Sequence, residues 1–149
     1  MKNRKKPIER RKHNRFRVKE GGFAMVMSEP ANLGQIEDMS MGEIALAVLK
    51  AKPLKMGQIV NISKGGLAFR YIDSEVEAGK LSELDILFAQ NGFHLKKVPF
   101  KIVADYKAAS EFPFSSIVMR QRSVQFKEIK PYQTSQLDYF IKNYTKGGA

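Results

Sequence analysis

Short hydrophobic or alternating segments, separated by turn residues, fill most of the chain from residue 58 to residue 129. Alternation with a period of two is typical of strands that bury one face. The segments are QIVNI, GLAFRYI, LDILFA, FHLKKV, FKIVADY, SSIVMR and SVQFKEI, at 58–62, 66–72, 84–89, 93–98, 100–106, 115–120 and 123–129. They predict a mainly β protein built as a small antiparallel sheet or barrel.

Two of the connections have the composition of tight turns. The tripeptide SKG at 63–65 separates the first two segments, and Gln90, Asn91 and Gly92 join LDILFA to FHLKKV. Asn-Gly is a strong hairpin signal because both residues tolerate a positive φ. The stretch ASEFPF at 109–114 is interpreted as a loop.

The hydrophobic period changes at the C-terminal end. Apolar residues recur at i, i+3, i+4 and i+7, namely Leu137, Phe140, Ile141 and Tyr144. Proline at 131 suits a first helical turn and the glycines at 147 and 148 suit a stop. The pattern predicts one amphipathic helix over 131–144 that covers the sheet or barrel with its apolar face.

An internal repeat lies between 23 and 68. Residues 23–45 align without gaps to residues 46–68, and eight of the 23 aligned positions are identical, including both Gly-Gln-Ile triplets. Two copies are too few for a solenoid. The repeat predicts a tandem duplication of a strand-turn unit, which would add a hairpin to the same sheet.

Length and hydropathy favour one domain. The chain has 149 residues, of which 43% are hydrophobic, enough for a single core. No apolar run is long enough to span a membrane, and no apolar stretch of the kind found in signal peptides follows the N-terminus. We therefore expect a cytoplasmic protein with a basic arm at 1–19 and a single barrel domain at 20–149.

Charge is concentrated in that arm. Residues 1–19 hold ten Lys or Arg against the single acid Glu9, whereas residues 20–149 hold sixteen basic and fourteen acidic side chains. Such arms are typical of proteins that bind nucleic acid, anionic lipid or a phosphorylated small molecule, and some serve solubility alone.

Catalytic motifs are sparse. There is no cysteine, and the two histidines, His13 and His94, are far apart and lack metal-site spacing. No serine lies in a GxSxG context, and His94 falls in a predicted strand, where a structural role is the commoner one. We therefore predict that the protein is not an enzyme and has no metal site and no cofactor.

Binding chemistry is better represented. Arg11 and Arg15, four positions apart, carry planar guanidiniums that grip phosphate oxygens, bond the O6/N7 edge of guanine and stack on purines. In NISKGG, Asn61 and Ser63 share one face of an extended segment. Gly66 then permits a tight backbone and the close approach of a ligand.

Together these two elements resemble the PilZ domain, a family of cyclic di-GMP receptors. The family pattern is RxxxR, a strand and then [D/N]xSxxG, and this chain has Arg11-KHN-Arg15 and Asn61-Ile-Ser63-Lys-Gly-Gly66. The likeness extends to GLAFRYID, VPFKIVADY and SVQFKEI. It implies a six-stranded antiparallel β-barrel with a C-terminal helix, and an arginine segment that folds over the ligand.

The repeat supplies a rival for the second motif. DMSMGE places Asp38 and Ser40 at the matching positions, and its distance from Arg15 is nearer the family habit. However, Glu43 occupies the glycine position and adds a carboxylate beside two phosphodiesters. The copy at Asn61 is therefore favoured, although an amide offers guanine one acceptor where an aspartate offers two.

The resemblance implies a cyclic di-GMP receptor in which the ligand orders the arm and presents a new surface to a downstream protein. Arg10, Arg11 and Arg15 would contact phosphate, Asn61 and Ser63 would read the base, and Gly66 would give clearance. An arginine immediately before RxxxR accompanies a stacked ligand pair in the family, so Arg10 implies two nucleotides per chain.

Two other functions stay open from the sequence. One is a nucleic-acid binder that uses residues 2–19 as an electrostatic arm, which is disfavoured because the rest of the chain has no excess charge and no paired aromatic motif. The other is a PilZ-like interaction domain that no longer binds nucleotide. For the receptor, we expect residues 9–18 to gain amide protection only with ligand.

Overall fold

The computed structural model describes residues 14–26, 36–51, 53, 55–73, 83–108 and 118–148. These residues form eight strands and two α-helices. In chain order the elements are β1 Phe16–Val18, β2 Gly22–Val26, α1 Met41–Ala51, β3 Lys55–Ser63, β4 Gly66–Ile72, β5 Glu83–Phe88, β6 Phe93–Lys107, β7 Met119–Phe126, α2 Pro131–Tyr144 and β8 Thr145–Gly148. Short 3₁₀ turns occupy Ile36–Asp38 and Ala89–Asn91.

Six strands close into an antiparallel barrel. The order is β2-β5-β6-β7-β4-β3, and β3 pairs back with β2. Residues 55–58 pair with residues 23–26 in register, which closes the barrel. Closure leaves these strands without a free edge. The barrel and the C-terminal helix are those implied by the sequence resemblance.

Two further strands extend the sheet outside the barrel. β1 pairs antiparallel with β3, and β8 pairs antiparallel with β1. Neither strand comes from the sequence repeat.

The main core fills the barrel and is covered by α2. Leu137, Phe140 and Tyr144 of α2 pack against Phe88 and Phe93, which belong to the β5–β6 hairpin. α2 has the bounds that the period of 3.6 predicts, and these apolar residues are buried as expected. Burial of such a face supplies most of the stability of a helix of this length.

Three predicted strand segments merge with their neighbours or lengthen. FHLKKV and FKIVADY form the single strand β6, because the chain passes Pro99 without breaking its pairing to β5 and continues along β7. Much of SSIVMR lies outside the described residues, and its end joins SVQF in β7. The predicted Asn-Gly turn between β5 and β6 is a 3₁₀ turn, in which Gly92 alone has a positive φ, of 67°.

The prediction of a duplicated hairpin is wrong. Residues 59–61 of the second copy belong to β3, whereas the aligned residues 36–38 of the first copy form a 3₁₀ turn. Residues 41–45, which align with the β3–β4 turn and the start of β4, begin α1. Ile44 and Val48 of α1 are buried beside Met25 and Leu87, on the outer side of β2 and β5. α1, which contains the end of the first copy and the start of the second, therefore covers the barrel from outside.

The arm contributes one strand to the sheet. Phe16–Val18 are paired with β3 and β8. Strand pairing protects main-chain amides, so residues 9–15 are the part of segment 9–18 for which protection by ligand stays a prediction. Residues 1–13 lie outside the described residues. Among the helices that the structure describes, none is long and apolar enough to cross a membrane.

Candidate functional site

A bulge in β3 determines which side chains face outward. Ile59 and Ile62 are both buried in the barrel core although they are three positions apart. The register against β4 shifts between Ile59 and Asn61, so Val60 is the extra residue. Side chains alternate beyond the bulge, and Asn61 and Ser63 therefore share the outer face of the barrel opposite Ile62.

The pairing of β1 with β3 brings the arm to this face. Phe16 is opposite Ile62, and Arg17 is opposite Asn61. Residues directly opposite one another in a sheet share a face, so Arg17 lies beside Asn61. Arg15 is one position before β1, at the end of β3 where Ser63 lies, and both arginines are exposed.

Arg17 is a candidate residue that sequence reasoning missed. Its position in the sequence, two residues after RxxxR, gives no indication of a contact with NISKGG. The register between β1 and β3 provides that information, because it places Arg17 and Asn61 in one cross-strand pair. Of the described residues, none hydrogen-bonds the side-chain amide of Asn61, which leaves this amide available for another molecule.

The hydroxyl of Ser63 has a structural role in the turn between β3 and β4. Its Oγ accepts a hydrogen bond from the Gly65 main-chain N–H at 3.1 Å and donates one to the Gly66 carbonyl at 3.4 Å. Ser63 is buried, with 6% of its surface exposed. These bonds fix the turn that follows Asn61, as serine does in many local turns.

Gly66 is explained by strand packing. A Cβ atom at this position would lie 2.1 Å from the main-chain oxygen of Val124 on β7. Gly66 thus allows β4 and β7 to approach each other. The space beside Gly66 that was predicted for a ligand is occupied by the main chain of β7.

The rival motif at Asp38 and Ser40 folds into the start of α1. The main-chain N–H of Ser40 donates to Glu43 Oε1 at 2.8 Å, and the Glu43 N–H donates to Ser40 Oγ at 3.2 Å. This is a reciprocal capping box, which satisfies two free donors at a helix N-terminus. Glu43 therefore replaces glycine for a structural reason, and this copy has no strand that presents Asp38 and Ser40 on one face.

Arg10 and Arg11 lie outside the described residues. Of the predicted site residues, the structure brings together Arg15, Asn61, Ser63 and Gly66 at one end of the β3–β4 hairpin. The turn of this hairpin also approaches α2, because Lys64 Nζ lies 3.9 Å from Asp138 Oδ1.

A separate polar cluster lies on the inner side of the sheet. Tyr71 donates a hydrogen bond to Asp105 Oδ2 at 2.5 Å, and the Nε atoms of Arg120 and Arg122 donate to the same carboxylate at 2.5 and 2.8 Å. Lys55 and Arg122 both lie over the Tyr71 ring. This cluster ties β4, β6 and β7 together where the barrel core ends.

The cluster shifts the ionisation of its members. Burial alone would raise the pKa of Asp105, but the hydrogen bonds from Tyr71, Arg120 and Arg122 outweigh it and hold that pKa below the ordinary value of 3.8. Burial, and then the hydrogen bond to Asp105, raises the pKa of Tyr71 above 10.0. At neutral pH the cluster therefore contains a carboxylate and a protonated phenol.

His94 has the structural role expected from its strand. Its Nε2 lies 2.8 Å from Asp85 Oδ2, and both side chains are buried. The other oxygen of Asp85 accepts the Lys97 N–H at 3.0 Å. In the described part of the chain, no three His, Asp or Glu side chains are grouped so that they could hold a metal ion.

Comparison of sequences gives no relative. No family model matches the chain, and no curated protein matches it. The fold, by contrast, has clear counterparts among solved structures.

One counterpart is the PilZ domain of YcgR from Escherichia coli, solved with c-di-GMP. It matches with a TM-score of 0.57 at 11% identity, over 91% of each chain. The chain has a PilZ-like fold.

A second counterpart is MrkH, described as a transcription regulatory factor with c-di-GMP dependence, at a TM-score of 0.58 and 13% identity. The match covers 90% of this chain and 50% of MrkH. The structure of K. pneumonia MrkH in its apo state matches with a TM-score of 0.57 at 12% identity, again over 50% of that chain. The PilZ-like barrel thus spans about half of MrkH.

Proposed function

We propose that this PilZ-like protein is a cytoplasmic receptor for cyclic di-GMP with no chemistry of its own. The observation that carries the proposal is the register of β1 against β3, which puts the end of the arginine arm beside Asn61 and Ser63. A cyclic dinucleotide has two phosphodiesters and two guanines, and this surface offers guanidiniums for the former and an amide for the latter.

Phosphate binding is assigned to the arm. Arg15 and Arg17 approach the face from β1, and Arg10 and Arg11 precede them within the same basic segment. Guanidiniums bind phosphate through paired hydrogen bonds and also stack on bases. The net charge of residues 1–19 means that ligand binding neutralises a concentration of like charge.

Base recognition is assigned to Asn61, with Ser63 in support. The Asn61 amide offers one carbonyl acceptor to the N–H groups of guanine. Ser63 holds the turn after Asn61 and retains a lone pair on Oγ for the base. Gly66 contributes by packing, since it sets the spacing of the strands under the site.

Signalling is assigned to ordering of residues 9–15. Polar segments of this kind bury too little apolar surface to compensate for backbone ordering of about 1–2 kcal/mol per residue. Bound phosphates provide the missing interaction, and the ordered segment then forms a surface for a downstream protein. Arg10, next to RxxxR, supports a stacked pair of ligands and thus a ratio of two nucleotides per chain.

Calorimetric titration tests the receptor proposal, with cyclic di-GMP as ligand and GTP and cyclic GMP as controls. Arg11→Ala and Arg15→Ala should each weaken binding by roughly 2–4 kcal/mol, because each removes a charge-assisted contact with phosphate. Neither substitution should lower the thermal midpoint of the free protein. Lys50→Ala is the matched control, since it removes an exposed cation from the last turn of α1, which is not part of the proposed site.

Unchanged binding in the double variant Arg11→Ala/Arg15→Ala would refute the arginine assignment. A ratio near one nucleotide per chain would remove the stacked pair. Amide exchange measured on the same samples tests the switch, and protection of residues 9–15 before ligand is added would contradict it.

A further inference from the structure

A cleft between α2 and the β5–β6 hairpin takes no part in the proposed receptor site. It has a volume of about 370 Å³, within the range of ligand-binding clefts, and Phe93, Lys96, Tyr132, Gln136, Tyr139 and Tyr144 line it. Tyr132, Gln136 and Tyr139 are spaced i, i+4 and i+7, so they form one stripe along α2. The cleft is therefore built from one helix face and one hairpin.

Aromatic rings dominate this cleft. Phe93 and Tyr139 have parallel ring planes with centroids 6.2 Å apart, and Tyr144 packs edge-on against both. Tyr132 and Tyr139 are 58% and 53% exposed, a large fraction for tyrosines on a packed helix. Exposed flat rings of this kind are platforms on which nucleic-acid bases stack.

Lysines flank the aromatic stripe at the start of α2. Lys96 lines the cleft, exposed Lys97 follows it on β6, and exposed Lys130 immediately precedes α2. Exposed Lys127 lies on the same side of β6, because its N–H donates to the Pro99 carbonyl at 2.9 Å. The amide of Gln133 joins three of these positions, because its Nε2 donates to the carbonyls of residues 96 and 97 and its Oε1 accepts the N–H of residue 130. The acidic residues near this group are Glu37 in the cleft lining, Glu128 in the loop before α2, and buried Asp85, which bonds to His94 and to the Lys97 N–H.

Hydrogen bonds hold the two walls of the cleft together. Gln133 is 2% exposed and makes all three of its hydrogen bonds to main-chain atoms at 2.9–3.0 Å, which fixes the hairpin against the helix. Burial, and then its hydrogen bond with Tyr139, raises the pKa of Tyr144 above 10.0, so the cleft floor stays uncharged at neutral pH. A preformed cleft loses little entropy on binding.

We propose that this cleft binds single-stranded nucleic acid, with bases stacked on Tyr132 and Tyr139 and phosphates held by the lysines around Lys96. Interleaved aromatic and basic side chains are the chemistry that single strands require. A duplex hides the faces of its bases, and an acidic peptide has no rings to stack. This activity is independent of the receptor function, because no residue of the cleft belongs to the Asn61 face.

Fluorescence anisotropy of a labelled poly(dT) strand of about 12 nucleotides, titrated with the full chain, tests the proposal. Tyr132→Ala should weaken binding about tenfold, as expected for the loss of one stacked base, whereas Tyr132→Phe should retain it. Tyr106→Ala is the matched control, because Tyr106 is a tyrosine of β6 that is 48% exposed and lies outside the cleft.

The salt dependence gives a second measurement. The logarithm of the association constant falls linearly with the logarithm of the salt concentration. The double variant Lys96→Gln/Lys127→Gln should make this slope less steep by about 1.4, since each phosphate contact on a single strand contributes about 0.7. Lys50→Gln with Lys107→Gln removes two exposed lysines elsewhere and should leave the slope unchanged. The basic arm contributes equally to the unaltered protein and to both double variants, so the comparison isolates the cleft.

Three results would overturn the proposal. The first is that Tyr132→Ala and Tyr106→Ala bind poly(dT) equally well, and the second is that a duplex of the same length binds as tightly as the single strand. The third is that poly-glutamate competes as strongly as unlabelled poly(dT), which would assign the cleft to an acidic protein partner. Calorimetric titration of the cleft variants with cyclic di-GMP tests the receptor function separately. These variants should bind the dinucleotide as tightly as the unaltered protein does.

Discussion

Gly66 of β4 lies opposite Gln125 of β7, and a Cβ atom at Gly66 would lie 2.1 Å from the main-chain oxygen of the neighbouring Val124. Ser63, opposite Gly66 on β3, closes the adjoining turn with its hydroxyl. Both residues match the [D/N]xSxxG pattern, and both have contacts that stabilise the barrel directly. The motif therefore combines one outward polar side chain, Asn61, with two residues that maintain its support.

Gly66→Ala should destabilise the protein whether or not nucleotide is present. The new methyl group would contact a main-chain oxygen, so β4 and β7 must separate, at a cost of about 1–3 kcal/mol. Denaturant unfolding without ligand measures this loss. Gly148→Ala is the control, because a Cβ there meets no atom within 4 Å; equal stability of the two variants would contradict the packing explanation.

The two copies of the repeat show that similar sequences can form a helix start in one place and a strand end in another. Ser63 ends a strand, while its counterpart Ser40 caps α1 with Glu43. Similarity of sequence favours similar structure, which is why a second hairpin was predicted. The Ser-x-x-Glu signature before an apolar run at 44–49 was the local signal for a helix, and it overrides the resemblance between the copies.

Substitutions in the two copies should separate binding from helix capping. Asn61→Ala should remove most cyclic di-GMP binding, and Asn61→Asp should strengthen it, since a carboxylate accepts from two guanine N–H groups. Ser40→Ala with Asp38→Ala should leave binding intact and lower the free energy of unfolding by about 1 kcal/mol through loss of the cap. Titration and denaturant unfolding of each variant provide the measurements, and loss of binding in the second pair alone would transfer the site to the first copy.

Strong periodicity and turn chemistry made several elements predictable. The range of α2 follows from apolar residues at helical spacing between Pro131 and the terminal glycines, and the β3–β4 and β5–β6 hairpins follow from their turns. The position of Arg17 beside Asn61 was not predictable. It depends on the bulge at Val60 and on strand register, both of which are set by packing between distant segments.

For the molecule as a whole, the Asp105 cluster is the main group of charges inside the sheet. It connects β4, β6 and β7 through one carboxylate, one phenol and two guanidiniums. The cluster was not predictable from the sequence, because Tyr71, Asp105 and Arg122 become neighbours only when β7 pairs with both β4 and β6. Its pKa shifts link the stability of the barrel to pH.

Stability should fall with acid through Asp105. Its folded pKa is below 3.8, so the unfolded chain takes up this proton first, and the ionised carboxylate stabilises the fold above pH 3.8. That contribution is lost as the pH falls from 3.8 through the lowered folded value. Asp105→Asn should lower the free energy of unfolding at pH 7 by about 1–3 kcal/mol and flatten its decline below pH 4.

Denaturant unfolding at pH 7, and at steps from about pH 5 down to pH 2.5, gives this profile. Asp138→Asn is the control, since that carboxylate is half exposed and paired only at 3.9 Å. A decline in acid that is identical for Asp105→Asn and the unaltered protein would exclude Asp105 as its source.

The pairing of β1 with β8 also sets an order in time. Phe16 lies opposite Gly148, so this contact joins positions separated by most of the chain. Contacts at large sequence separation form late, because a long loop must close before them. During synthesis β8 leaves the ribosome after every barrel strand, and β1 cannot complete its pairing earlier. A nascent chain can therefore pair β1 with β3 early, but both edges of the strand that follows Arg15 are paired only after translation has passed β8.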